Sequence, residues 1–132
     1  MGDTTNRLDL GRYQWRNRLL LLFAPAADDP LFVTQQDALA AHHTGLAERE
    51  LLVFVLFEAT DGAGDSQVVT AAQAAELRAR FGVPTGAFTI LLVGKDGTEK
   101  LRSQGVVPAA DLFGLIDSMP MRRDEMRRSG VA

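Results

Sequence analysis

The chain contains no cysteine. That single absence excludes disulfides, thiolate nucleophiles, iron–sulfur clusters and cysteine-ligated zinc, and it leaves the redox compartment unread. Histidine is scarce as well, with two residues that lie side by side as His42-His43. Neighbouring positions on a helix point about 100° apart, so the pair does not converge on one ion. No acidic cluster has the spacing of a dedicated calcium site either, and neither a metal nor a cofactor is expected. There is no Gly-X-Ser-X-Gly elbow to present a serine nucleophile. Long apolar runs are missing: Leu19–Ala24 falls far short of the ~20 residues a membrane span needs and lacks the flanks of a signal peptide. Positive charge is not in excess, the formal net charge being −3, which argues against a nucleic-acid binder. A membrane partner is likewise not expected. The compartment is left open: a soluble protein, with export to periplasm or exterior one reading if a leader is absent from this chain.

What is present describes one ordinary domain. The 132 residues are 46% apolar and 23% charged, enough to bury a core. The core is placed at about 8–120, followed by an arginine-rich segment, 121–132. Three continuous apolar runs, Leu19–Ala24, Leu51–Phe57 and Phe88–Val93, suit strands buried on both faces. Between the first two, Asp29 as N-cap and Pro30 at the first helical position open a helix expected to run to about Ala47. Phe32, Leu39 and Leu46 form its stripe, with one of the two histidines packed inward and the other in water. Thr70-Ala71-Ala72-Gln73 reads as a capping box, Ala74, Leu77 and Phe81 as an inner face, and Gly82 as the stop. Asp96-Gly97 signals a tight hairpin with a charged return strand, Thr98–Arg102, at a sheet edge. A last helix opens at Pro108 and is ended or kinked by Pro120. The expected fold is therefore α/β and thioredoxin-like, a βαβαββα core with a central mixed sheet flanked by helices.

Three stretches carry a more specific likeness: "YQWRNRLLLLFAP" (Tyr13–Pro25), "LLVGKDGTEKLRS" (Leu91–Ser103) and "LFGLIDSMPMRRDEM" (Leu112–Met126). Together they resemble domain-of-unknown-function family 4174, found in bacterial proteins and in secreted vertebrate matrix and sushi-repeat proteins. The resemblance spans about residues 8 to 127 and implies a thioredoxin-like or peroxiredoxin-like fold without a defined activity. It directs attention to Trp15, Arg18, Lys95, Asp96, Gly97, Lys100, Asp117, Arg122, Arg123 and Glu125, none of which arrives with an established catalytic role.

In redox-active thioredoxins the loop after the first core strand holds two cysteines at a helix N-terminus, which lowers a thiol pKa. Here the loop is "PAADDP", and its slots hold Ala26, Ala27, Asp28 and Asp29, so thiol–disulfide and thiol-peroxidase chemistry are excluded. A helix N-terminus also favours a carboxylate as the anion, and a capping aspartate accounts for at least one of the pair. The slot of the fold's cis-proline falls near Phe88 or Thr89, so Pro84 is read as ending a loop. Gly62-Ala63-Gly64 lacks the Gly-Lys-Ser/Thr of a phosphate loop and is read as a flexible solvent loop.

Two segments are left as candidates. Arg122, Arg123, Arg127 and Arg128 near the C-terminus present either an anion-recognising surface or a solvated turn with an Asp124–Arg128 pair, an internal ion pair to Asp117 being intermediate. Tyr13, Trp15, Arg16 and Arg18 alternate aromatic and basic residues ahead of the first strand, as a ligand platform or as packing. The reading adopted is a non-enzymatic module binding a protein partner or a small anionic ligand through Trp15, Arg18, Lys95, Arg122 and Arg123. The alternative is a cysteine-independent enzyme using Asp28 or Asp29. Oligomeric state is not predicted.

Overall fold

The computed structural model describes residues 8–130. Its centre is β1 (Arg18–Ala24), which pairs in parallel with β2 (Leu51–Phe57) and antiparallel with β5 (Thr89–Val93). A strand flanked on both edges and packed on both faces has no room for polar alternation; accordingly all seven β1 residues are buried. β3 (Gly62–Gly64), β4 (Gln67–Val69) and β6 (Glu99–Ser103) complete a six-stranded mixed sheet in the order β4-β3-β2-β1-β5-β6.

The sheet separates two cores. Leu19, Leu21 and Phe23 face Leu77 and Ala74 of α3 (Ala71–Phe81). Leu20, Leu22 and Ala24 face Phe32 and Leu39 of α1 (Pro30–Ala40) and Leu112 and Ile116 of α4 (Ala109–Asp117). The expected caps form. Asp29 accepts the Phe32 N–H at 3.1 Å, Thr70 and Gln73 close a reciprocal box, and Gly82 ends α3 at φ 64°, a conformation favourable to glycine.

Four expectations are corrected. The helix expected over Pro30–Ala47 breaks at Ala41–His42, where His42 leaves helical geometry (φ −129°, ψ 31°), and α2 (His43–Glu48) follows. The α4 ring of Phe113 packs against the break: His42 meets it edge-on at 6.0 Å, and a Cβ on Gly45 would lie 2.6 Å from it. Both histidines are consequently exposed, rather than one facing inward. Gly62-Ala63-Gly64 is not a loop but β3, turned into β4 through Asp65 and Ser66, both at positive φ. Its glycines serve close approach, since a Cβ at Gly62 would fall 1.8 Å from the Val55 carbonyl oxygen. As expected, Pro120 breaks the helical run: α4 stops at Asp117, Met119 is extended (φ −73°, ψ 141°) as is favoured before proline, and Pro120 becomes the first residue of a new helix, α5 (Pro120–Arg128). Within α5, Asp124 pairs with Arg127 and not with Arg128.

Candidate functional site

The two ends of β1 differ sharply. At its carboxyl end, where open α/β sheets usually hold ligands, Ala26, Ala27 and Asp28 are exposed while Asp29 is committed to capping α1. Arg78 of α3 closes the neighbouring strand ends, its guanidinium buried under Phe23 and donating to the Ala24 and Leu56 carbonyls at 3.3 and 3.4 Å. Burial lowers its pKa and Glu58 opposes that shift. Among the described residues no group of three or more His, Asp or Glu side chains is arranged to hold a metal ion.

The amino end gathers charge. Register explains why: Arg18 sits opposite Leu51, so Arg49 and Glu50 lie just before β2. β5 runs antiparallel to β1, so Lys95 emerges at the same end. The turn at Met119–Pro120 then lays α5 across it. Glu125 is the hub. Its two oxygens accept from the Arg18 guanidinium at 3.2 and 3.1 Å, and Oε2 also accepts from Lys95 Nζ at 2.6 Å. Arg18, only 1% exposed, spends a further N–H on the Arg49 carbonyl at 2.8 Å. Asp117 is the second hub, held by Arg49 through two hydrogen bonds (3.1 and 2.8 Å) and by Arg122 Nε at 3.0 Å. Arg122 also donates to the Glu48 carbonyl at 2.9 Å, and Arg49 stacks 4.1 Å above the Phe113 ring. Lys95 reaches one more carboxylate, Glu50, at 2.8 Å.

Burial raises the pKa of Glu125, but its hydrogen bonds to Arg18 and Lys95 outweigh that and hold it below the ordinary glutamate value. Asp117 follows the same logic with Arg49 and Arg122. Asp96, at the β5–β6 turn, is lowered to about 2, chiefly by Lys100 and by the Thr98 backbone N–H.

Of the five residues nominated for binding, the structure brings four to one end of the sheet. Arg18, Lys95 and Arg122 are buried and face carboxylates of the chain itself. Arg123 is exposed and, among the described residues, makes no ion pair. Trp15 is the exception in kind. Its backbone N–H is fastened to the Lys95 carbonyl at 2.6 Å, its φ is 70°, and it is 62% exposed. Beside it opens a groove of about 390 Å³ lined by Met119, Pro120, Met121 and by Arg18, Lys95 and Lys100. Met121 is 38% exposed. Arg49 and Glu50 were not among the nominated residues; a charged pair directly abutting a fully apolar strand in "AERELLVFVLF" is the signal that points to them.

The sequence profile of the family described as a domain of unknown function, DUF4174, matches residues 9–125. Sushi repeat-containing protein SRPX of Homo sapiens is 32% identical over 129 residues, 96% of this chain and 28% of that protein. Coiled-coil domain-containing protein 80 of Danio rerio is 29% identical over 133 residues, 89% of this chain and 15% of that protein. The chain thus spans less than a third of these relatives. Among solved structures, thioredoxin peroxidase I of Plasmodium yoelii superposes with a TM-score of 0.67 at 13% identity, covering 93% of this chain and 82% of that one. A reduced 2-Cys peroxiredoxin of Plasmodium vivax gives 0.63 at 13%, covering 89% and 85%. At that identity the likeness establishes the thioredoxin fold and nothing of the chemistry.

Proposed function

The chain belongs to the DUF4174 family, and we propose that this member is a non-redox module that binds a protein partner through the groove beside Trp15. The observation that carries the reading is the placement of the chain's sole tryptophan. A bulky L-residue in the left-handed region costs about 1–2 kcal/mol, and a tryptophan left mostly in water recovers little of that by packing. Strain of this kind, held next to an apolar groove, is characteristic of a contact surface. Tryptophan is also the residue most enriched among interface anchors. A small free anion fits less well, because the buried cations Arg18, Lys95 and Arg122 already have carboxylate partners. The relatives support a modular role, since the matched region is a minor part of their length.

The test is selection of peptides on the immobilised protein. Binders are then assayed against Trp15→Gly and Met121→Ser, with Asp28→Asn/Asp29→Asn as the opposite-end control. Affinity should fall about tenfold or more in the first two, the loss expected of an anchor residue, and be unchanged in the control. Binders indifferent to Trp15 and Met121, or lost in the aspartate variant, would refute the reading.

A further inference from the structure

We infer that the segment received by the groove is acidic as well as apolar: a bulky apolar side chain seated against Trp15 and Met121, flanked by a carboxylate that takes the Lys95 ammonium in place of Glu50. This rests on the proposed groove and adds the chemistry of its occupant.

Charge complementarity is the first argument. The chain as a whole is acidic, at −3; of the cations lining the groove, Arg18 is held by Glu125 and Lys100 by Asp96, while Lys95, besides Glu125, holds Glu50, which is 52% exposed. Arg16, next to Trp15, is exposed and has no ion pair among the described residues. An acidic segment is therefore drawn to this face in preference to the rest of the surface.

Exchangeability is the second. Lys95 is 7% exposed and holds two carboxylates of very different standing. Glu125 is 12% exposed and shared with Arg18, so it cannot leave without stranding a buried guanidinium. Glu50 is 52% exposed, on a backbone with φ 50° that glutamate seldom adopts. The Lys95–Glu50 pair is therefore open to water only on its Glu50 side, the side from which a competing carboxylate can reach the ammonium. Glu50 occupies the position an incoming carboxylate would take, and the ammonium beneath it is already desolvated on its inner side. The planar guanidinium groups of Arg18 and Arg122 are consumed by Glu125 and Asp117, so the incoming carboxylate meets lysine, a point charge.

The chain supplies its own reporter, because its one tryptophan sits at the groove. Capped peptides with a central Leu followed by Glu-Glu, Gln-Gln or Lys-Lys are titrated into the intact protein, and the emission of Trp15 is followed. The Glu-Glu peptide should shift emission to the blue, bind about fivefold or more tighter than the Gln-Gln peptide, and weaken as salt is raised through the screening range. Glu50→Gln should tighten the Glu-Glu peptide about threefold by removing its competitor, Lys100→Gln should weaken it about twofold, and Met121→Ser should abolish the shift, each change lying within the range of surface ion pairs or anchor loss. Equal binding of the Glu-Glu and Gln-Gln peptides, or a Glu50→Gln variant that binds no tighter, overturns the acidic assignment while leaving a Met121-dependent groove intact. A blue shift on concentrating the protein without peptide assigns the groove to a second copy and overturns the inference. Silence with all three peptides also overturns it, and the groove itself then stands or falls on the peptide selection.

Discussion

Glu125→Gln is the most informative single change, because it keeps shape and removes only charge. In the native structure Glu125 is 12% exposed and balances Arg18, which is 1% exposed, and Lys95, at 7%. Neutralising it leaves the Arg18 guanidinium buried with only the Arg49 carbonyl as a full acceptor, while Lys95 keeps Glu50. Breaking a buried ion pair from one side costs about 3–5 kcal/mol. Glutamine retains one acceptor oxygen, so the low end, about 3 kcal/mol, is expected, or a fall in Tm of roughly 12 °C at ~4 °C per kcal/mol for a domain of this size. Urea unfolding at pH 7 measures it, with Arg123→Gln, an exposed residue of the same helix, staying within about 0.5 kcal/mol of the parent. The deficit has a definite pH dependence. Glu125 is depressed below its ordinary value in the fold, so its contribution is complete above the unfolded pKa of about 4.3 and disappears as pH falls through the lower native value. Glutamine mimics the protonated acid, so the two proteins should converge in stability in acid. A loss below about 1 kcal/mol at pH 7 would mean that the cluster contributes no more than a surface pair, as would a gap that persists unchanged at low pH.

Trp15→Gly should unfold no earlier than the parent, and up to about 1 kcal/mol later, because glycine relieves the left-handed strain; a large loss of stability in thermal melts would make Trp15 a packing residue. Asp29→Ala should cost about 1 kcal/mol through loss of the α1 cap, whereas Asp28→Ala should fall within ~0.5 kcal/mol of the parent, and equal costs in chemical denaturation would contradict the assigned cap. Gly62→Ala forces a Cβ onto the Val55 carbonyl and should destabilise by about 1–3 kcal/mol while opening the β3–β4 hairpin, visible as lost amide protection at Val68 and Val69; unchanged protection would show that the strand relaxes without cost.

Where each local signal had one cause, the sequence was readable. A strand buried on both faces must be continuously apolar, so Leu19–Ala24 and Leu51–Phe57 announced themselves, and caps such as Asp29-Pro30 and Thr70–Gln73 are local chemistry. Failures fell where a distant group decides. Nothing between Pro30 and Ala47 encodes Phe113, yet that ring packs where the helix breaks. Gly62 and Gly64 signalled flexibility because glycine is permissive, whereas close approach to Val55 and Phe54 is what requires them. The arginines show the same limit. A cluster at 122–128 reads as free charge until Asp117, Arg49 and Glu48 are brought to it from other elements. Arg49 and Glu50 went unnominated because their meaning depends on strand register and not on neighbours in sequence.

Arg122, at the arginine-rich end, is therefore committed to the chain's own carboxylate and carbonyl, and it bears on the proposed groove only by holding α5 in place. Arg122 does not face solvent to collect an anion; with Glu125 it binds α5 to the amino end of the sheet, on both sides of Asp117 and Arg18. Because α5 begins at Pro120, fixing Arg122 and Glu125 also fixes Met121, the exposed wall of the groove. Lys95 links the two roles, since its carbonyl holds the Trp15 backbone while its ammonium holds Glu125. Both walls thus depend on one salt-bridged cluster, and Glu125→Gln should weaken peptide binding as well as stability, even at temperatures where the variant is fully folded. A Glu125→Gln protein that is destabilised yet binds peptide with parental affinity would separate the cluster from the groove and confine the arginines to a structural role.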